Sequence, residues 1–264
     1  MLGLFHSLWH WRHFIASSIK NDLRARFSRS LLGGTWMLLN PLAMVMIYTL
    51  VLSAVLTARL PGIESQYAYA IYLISGMLCW TLFLEITQRC LGVFIESGNQ
   101  MKKINFPRIT LPVIVTGTSL LSYLLLLAIT LIVFAILGHL SWLALFWLPL
   151  LTLLTLAFAL GLGMILGTLN VFIRDLGQAM GIIFQLLFWF TPIVYPVSIL
   201  PEGMRSLLQY NPLYHLVEGY HQVLAYQQAP DLLALTVVAL LSVLLLLLGF
   251  ILFRKASPEM MDML

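Results

Sequence analysis

The chain has 264 residues, of which 61% are hydrophobic and only 9% are charged, with a formal net charge of +4. Soluble domains average about 45–50% apolar and about 25% charged residues, so this composition excludes a soluble fold, a disordered chain and a disulfide-rich scaffold. It predicts an all-α protein that crosses a membrane several times, as a single domain over residues 1–264.

The first 30 residues contain no pattern of a cleavable signal peptide, and we expect them to belong to the mature protein. The stretch KNDLRARFSR places Leu23 and Phe27 one helical turn apart among basic side chains. This spacing is typical of an amphipathic helix on the headgroup surface, so residues 1–30 are predicted to form a cytoplasmic interface segment. A basic flank that only sets the topology is the alternative interpretation.

Six stretches are long and apolar enough to cross a bilayer, which takes about 20 residues. The predicted spans are 36–57, 67–86, 109–137, 142–169, 176–195 and 232–253. With the amino terminus inside, only Arg59 and Arg205 of the 14 Lys and Arg residues fall on the outer side. The positive-inside rule therefore predicts an inner-membrane protein with both termini cytoplasmic, and it explains the basic charge without a nucleic-acid partner.

Within the spans, the glycine and cysteine side chains indicate structural roles in helix packing and not a functional site. Gly163 and Gly167 have the GxxxG spacing of closely packed helices, with Gly161 on the same stretch. Cys79 and Cys90 lie in one apolar stretch and are predicted to be buried free thiols.

Two charges lie inside or at the inner end of a predicted span. Glu85 and Arg89 are four residues apart, which predicts a local ion pair, with a gating role as the functional alternative. The centres of the other spans contain no carboxylate, which disfavours a proton- or sodium-coupled carrier. No GxxxxGK[ST] motif occurs, so ATP hydrolysis would have to come from another chain.

Two short cytoplasmic segments separate the spans. The segment ESGNQMKKINFPR predicts a short helix bounded by turns, which would either dock on a soluble partner or form a plain solvated loop. In NVFIRDLGQ, Arg174 and Asp175 are predicted either to cap the adjoining helix or to contact a partner.

The external segment 197–231 is too polar to cross the membrane. Asn211 followed by Pro212 predicts the start of a helix, with apolar side chains at helical spacing behind it, and Leu207 and Leu208 suggest a shorter helix before it. These helices are expected to be amphipathic or re-entrant. His215 and His221 point well apart on an ideal helix, which is poor geometry for one metal ion, so no metal site is predicted. With Glu218, they are expected to be polar residues that face an external vestibule.

Aromatic residues are numerous, and most are expected to be interfacial anchors or core. Some are candidates to line a passage for a glycan, because aromatic faces stack on sugar rings. The candidates are Trp36, Tyr48, Tyr69, Tyr72, Trp80, Trp189 and Tyr195.

Several motifs occur in one order along the chain: RSLLGGTWMLLNPL, KKINFPRITLP, LNVFIRDL, FWFTPIVYP and NPLYHLVEGYHQVL. Together they resemble the permease subunit of type-2 ABC exporters for bacterial surface polysaccharides, the O-antigen and capsule group. The resemblance covers nearly the whole chain. One departure is His221, where members of that family often carry Arg.

The resemblance implies a homodimer in the membrane lipid, with a channel between the two copies. Two separate ATP-binding cassette subunits would hold ATP and magnesium. This chain would hold no cofactor. Residues 97–108 would form the coupling loop and 197–231 the periplasmic gate. The implied ATPase contacts are Asn99, Lys102, Lys103, Arg108, Arg174 and Asp175. The substrate would be a polysaccharide on a polyprenyl diphosphate, whose charge Arg24, Arg26 and Arg29 are placed to attract.

Three alternatives remain from the sequence. The same scaffold would also suit export of teichoic acid, a lipid or a drug. A membrane enzyme acting on lipid-linked sugars would use His215, Glu218 or His221. A proton-coupled carrier would need a titrating group at the midplane, which the predicted spans lack.

Overall fold

The structure is a computed structural model that describes residues 9–27, 35–36, 39, 42–43, 67–103 and 106–263. Within these ranges the regular structure is helical and contains no strand, which confirms the all-α prediction. The helices are α1 Arg12–Phe27, α2 Ala68–Glu96, α3 Gly98–Lys103, α4 Thr110–Ile136, α5 Trp142–Phe172, α6 Asp175–Phe190, α7 Glu202–Leu208, α8 Pro212–Tyr220, α9 Leu232–Ala256 and α10 Met260–Met263. A π-helical turn, His221–Ala225, continues α8.

Four of the helices are long and apolar enough to cross a membrane: α2, α4, α5 and α9. They contain 25 to 31 residues, more than the roughly 20 that a span needs, so the second, third, fourth and sixth predicted spans are confirmed as helices of sufficient length. The first predicted span, 36–57, lies almost entirely outside the described residues.

The fifth predicted span is shorter than expected. Helix α6 has 16 residues, about 24 Å at 1.5 Å per residue, against a hydrocarbon thickness of about 30 Å. It ends at Phe190 because Thr191 precedes Pro192 and has the extended backbone that proline imposes on its neighbour, with φ −110° and ψ 124°. The prediction of one continuous helix over 176–195 is therefore wrong at its carboxyl end.

Helices α2, α5 and α9 form the centre of the bundle and approach one another at glycines. A Cβ added at Gly163 would lie 2.7 Å from the Cβ of Cys90 on α2, and one at Gly167 would collide with the carbonyl of Cys90. On another side of α5, a Cβ at Gly161 would lie 2.7 Å from the backbone nitrogen of Leu246 on α9. The GxxxG prediction is confirmed, because these positions have no room for a side chain. Cys79 and Cys90 are buried free thiols, as predicted.

The three central helices run parallel, so their carboxyl ends share one pole of the bundle. The side chain of Thr155 meets Cys79 near the middle of α5 and α2, while Asn170 Nδ2 donates to the Leu91 carbonyl at their ends, 2.8 Å away. We call this end, with α1 and α3, the basic pole. We call the opposite end, with residues 137–141 and 191–231, the outer pole, after the topology predicted from the sequence.

Helix α1 lies against α4 at the basic pole. A Cβ added at Gly117 would lie 2.5 Å from Cδ1 of Ile19, so the Ile19 side chain packs directly on this glycine. The ring centroids of Phe14 and Phe106 are 5.4 Å apart. The predicted amino-terminal helix is therefore present within residues 1–30. Its position at the headgroup surface stays a prediction.

Replacing Gly167 by Ala should destabilise the bundle, because the new methyl group meets backbone and cannot be accommodated by a rotamer change. We expect a cost of about 1–3 kcal/mol, the usual cost of overpacking. The measurement is the thermal unfolding midpoint of the detergent-purified protein.

The matched control is Gly181→Ala in α6, where an added Cβ meets nothing within 4 Å. It should keep or slightly raise the midpoint, because Ala is the better helix former. Equal midpoints for the two variants would contradict the close packing of α5 on α2.

Candidate coupling surface and outer gate

Helix α3 presents a polar face at the basic pole. Gly98 and Met101 are buried against the bundle, whereas Asn99, Lys102 and Lys103 are exposed. The Ser97 carbonyl accepts from the backbone nitrogens of Gln100 and Met101, so α3 follows α2 after a single turn. Its exposed side is thus a basic surface attached directly to the end of a long apolar helix, and the predicted short helix is confirmed.

Arg108 does not share this exposed face. Its guanidinium Nη1 donates to the backbone carbonyl of Ser257 and to Ser257 Oγ, the latter at 2.9 Å. It is half-buried and ties the start of α4 to the end of α9. Of the predicted ATPase contacts, Arg108 therefore holds the bundle together instead of facing outward.

The second predicted contact lies between α5 and α6. Arg174 and Asp175 are both exposed. Asp175 is in the first turn of α6, where its charge favours the positive end of the helix dipole, but the N-cap position is Arg174 and has no side-chain cap bond. The capping interpretation is thus limited to a dipole effect. Because α2 and α5 end side by side, this pair and α3 occupy the same pole.

Arg89 has a different ionic partner from the predicted one. Its Nη2 lies 2.5 Å from Oδ2 of Asp22 on α1, and both side chains are partly buried. The prediction that Arg89 pairs with Glu85 is therefore wrong, because the partner of Arg89 is Asp22. This ion pair joins α1 to α2. Arg24 is exposed on α1, whereas Arg29 and the side chain of Arg26 lie outside the described residues.

At the outer pole the first turn of α2 holds the chain that leaves α6. Tyr69 donates to the Val194 carbonyl at 2.7 Å, and Tyr72 donates to the carbonyls of Pro192 and Tyr195 at 3.3 and 3.2 Å. We call these contacts the outer clamp. They fix the turn that follows the short helix α6.

The described aromatic candidates do not share one open passage within the protomer. Tyr69, Tyr72 and Trp80 are buried, with Trp80 packed on Phe188, while Tyr195 is half-buried and its hydroxyl donates to the Trp189 carbonyl. Trp36 and Trp189 are exposed. Tyr48 lies outside the described part of the chain.

Helix α8 is built into the bundle. Asn211 Oδ1 accepts from the Leu213 backbone nitrogen at 3.0 Å, which confirms the predicted start of the helix. The Tyr220 hydroxyl is 3.0 Å from that of Tyr123 and 3.4 Å from Thr152 Oγ1, all three buried. This buried triad is not among the features predicted from the sequence; the available signal was a tyrosine and a threonine within two apolar spans.

The two histidines of the outer segment have different surroundings. His215 is half-buried and its Nε2 contacts the Gln209 carbonyl at 2.8 Å. His221 is fully buried, its ring stacks on Tyr72 at 3.7 Å, and Nδ1 lies 3.9 Å from Oε2 of Glu218. Burial lowers the pKa of His221, although the nearby Glu218 carboxylate acts in the opposite direction. No group that would hold a metal ion occurs among the residues that the structure describes.

Residues 14–225 match the model of a protein family described as ABC-2 type transporter. The chain belongs to this family. An O-antigen export system permease protein RfbA from Myxococcus xanthus is 29% identical over 261 residues, 98% of each chain. A protein of the same name from Klebsiella pneumoniae is 31% identical over 206 residues, which are 76% of each chain. The polysialic acid transport protein KpsM of Escherichia coli is 23% identical over 249 residues, which are 91% of this chain and 92% of KpsM. The match includes α3, the Arg174–Asp175 pair, the outer clamp and α8.

The Arg89–Asp22 bond should contribute about 1 kcal/mol of coupling between α1 and α2. We expect Asp22→Asn and Arg89→Gln to lower the thermal unfolding midpoint individually, and the double variant to lose less than the sum of the two. Purified protein in detergent is the sample for this double-mutant cycle.

Lys20→Gln on α1 is the control, since it removes an exposed charge from the same helix. It should leave the midpoint nearly unchanged. Strict additivity of Asp22→Asn and Arg89→Gln would mean that the bond does not hold the helices together.

Proposed function

We propose that this chain is the permease subunit of an ATP-driven exporter that moves lipid-linked polysaccharide, of the O-antigen or capsule type, across the bacterial inner membrane. The observation that carries the proposal is its similarity to an O-antigen export permease over 98% of both chains. The four long apolar helices agree with a membrane pathway. The chain would act as one permease domain and not as an enzyme.

Energy for export would come from two ATP-binding cassette subunits, which would hold ATP and magnesium, because the sequence contains no phosphate-binding loop of its own. The exposed face of α3 and the Arg174–Asp175 pair are the proposed docking surface. Their basic and acidic side chains suit a soluble partner with complementary charge.

Helix α2 gives this docking surface a mechanical connection to the outer pole. It leads into α3 at one end and carries Tyr69 and Tyr72 at the other, where they hold the turn after α6. A displacement of α3 by the ATPase would tilt α2 as a rigid rod and shift the outer clamp. Arg89 would carry the same motion to α1 through Asp22.

The proposed homodimer is supported by α6, which buries only Met180 and Phe184 against its own protomer. It exposes a row of large apolar side chains, Ile182, Ile183, Leu186, Trp189 and Phe190. A second copy would cover this face, and a channel between the copies would place Trp189 beside the glycan. Arg24, Arg26 and Arg29 would receive the lipid diphosphate at the basic pole.

Thiol labelling tests the proposed orientation. Because both native cysteines are buried, Asn99→Cys on α3 and Gly203→Cys on α7 each introduce one accessible thiol. A membrane-impermeant maleimide should label Gly203→Cys from the periplasm and Asn99→Cys only after lysis. The reverse pattern would mean that the basic pole faces outward.

A strain that lacks the chain tests the transport function. Surface polysaccharide should be lost while lipid-linked polymer accumulates on the cytoplasmic side, and the wild-type chain should restore export. The double variant Lys102→Ala, Lys103→Ala should restore it roughly tenfold less well, as for a loss of about 1.4 kcal/mol of docking free energy.

The matched control is Arg254→Ala, Lys255→Ala, which removes two exposed charges from the same pole at the end of α9. It should restore export fully at equal protein level. Polymer absent from both compartments would favour the enzyme alternative, and normal surface polymer would mean that the cargo is a teichoic acid, a lipid or a drug.

A further inference from the structure

A cavity of about 310 Å³ opens at the outer pole, beside the clamp. Four parts of the fold contribute its polar lining: α2, the turn after α6, α8 and the π-helical turn with the residues after it. The side chains that matter for its chemistry are Tyr72, Ser198, Glu218, Gln222, Tyr226 and Gln228. Its volume is at the small end of ligand sites, which suits one or two sugar rings.

Hydrogen bonds fix the wall formed by the π-helical turn. The Gln228 backbone nitrogen donates to the Gln222 carbonyl at 2.7 Å, and the Tyr226 nitrogen donates to the His221 carbonyl at 2.9 Å. The Gln222 side-chain oxygen accepts from the Asp231 nitrogen at 3.0 Å, so Gln222 can serve a ligand as a donor through Nε2. The wall is therefore formed before any ligand arrives.

The lining has the chemistry that recognises a sugar. A pyranose presents hydroxyls that donate and accept, and an apolar face. Glu218 can accept hydrogen bonds, the Gln222 and Gln228 amides and the Ser198 hydroxyl can donate them, and Tyr226 adds an aromatic ring to the lining. A carboxylate that accepts from sugar hydroxyls makes a stronger bond than a neutral acceptor does.

The charge of the cavity favours a neutral sugar. Glu218 is the carboxylate in the lining, whereas the neighbouring His221 is not a lining residue: it is fully buried, stacked on Tyr72, and its Nδ1 lies 3.9 Å from Glu218 Oε2. The guanidinium of Arg205 is engaged by the carbonyls of Ser198 and Leu200, at 2.6 and 2.8 Å. An acidic sugar would therefore meet a carboxylate that no cation of the described lining compensates.

We infer that this cavity is a binding subsite for a neutral sugar residue of the exported glycan, at the outer end of its path. The inference rests on the proposed function and names the class of sugar that the gate holds. Each protomer would hold one ring between the outer clamp and α8 during passage.

Photocrosslinking in the producing strain tests the subsite even when the sugar is unidentified. Benzoylphenylalanine replaces Tyr226 in the cavity or, as the control, Tyr210, which is 85% exposed at the same pole and outside the cavity. After illumination of cells that export, glycan should be covalently attached at position 226 several-fold more than at 210. Gln228 serves as a second attachment position if the 226 variant does not accumulate.

A second pair of variants tests the carboxylate. Glu218→Gln should reduce capture at position 226 several-fold, whereas Glu202→Gln makes the same change on exposed α7 and should leave capture unchanged. Equal capture at 226 and 210, or capture indifferent to Glu218→Gln, would overturn the subsite.

Hydrolysis of the captured glycan tests the sugar class. We expect the hydrolysate to contain neutral hexose or hexosamine. A captured glycan in which every sugar unit is acidic would overturn the assignment to a neutral sugar. These outcomes are distinct from failure of the proposed function, in which surface polysaccharide would not depend on the chain at all.

Discussion

Contact between helix backbones at glycines is the constraint on which the rest of the structure depends. In a bilayer, lipid tails are as apolar as leucine, so helices associate through close packing and not through exclusion of water. Gly163 and Gly167 bring α5 against α2, and Gly161 with Gly249 brings α5 against α9. These contacts join three helices that run parallel, and this alignment collects the basic side chains at one pole and the clamp, α8 and the cavity at the other.

With that alignment, α2 becomes the connection between the two poles. Near its start, α2 carries Tyr69 and Tyr72, which hold the turn after α6. Its other end leads into α3, whose exposed face carries Lys102 and Lys103. The ion pair of Arg89 with Asp22 attaches α1 to α2. In the proposed exporter, one helix would therefore connect the docked ATPase to the outer gate without an intermediate element, because α2 has one end at each pole.

Features that depend on local chemistry can be predicted from the sequence, whereas those that depend on distant partners cannot. The apolar spans, and the helix start at Asn211, follow from composition and capping rules and are confirmed. Apolar content alone misplaces the end of α6, because Pro192 holds the preceding residue in an extended conformation. Helical spacing pairs Arg89 with Glu85, yet its partner Asp22 lies 67 positions away in sequence and only the tertiary fold brings it close.

The hydroxyl triad of Tyr123, Thr152 and Tyr220 has a consequence for how the outer segment moves. Withdrawing α8 from the bundle would break the contacts of the buried Tyr220 hydroxyl with Tyr123 and Thr152 and leave only the Tyr123–Thr152 bond, at a cost of roughly 1–3 kcal/mol. In the proposed exporter, α8 would therefore stay in place while the gate opens. Opening at this end would fall instead to the short turn after α6, whose carbonyls accept from two tyrosine hydroxyls that a small rotation of α2 would release.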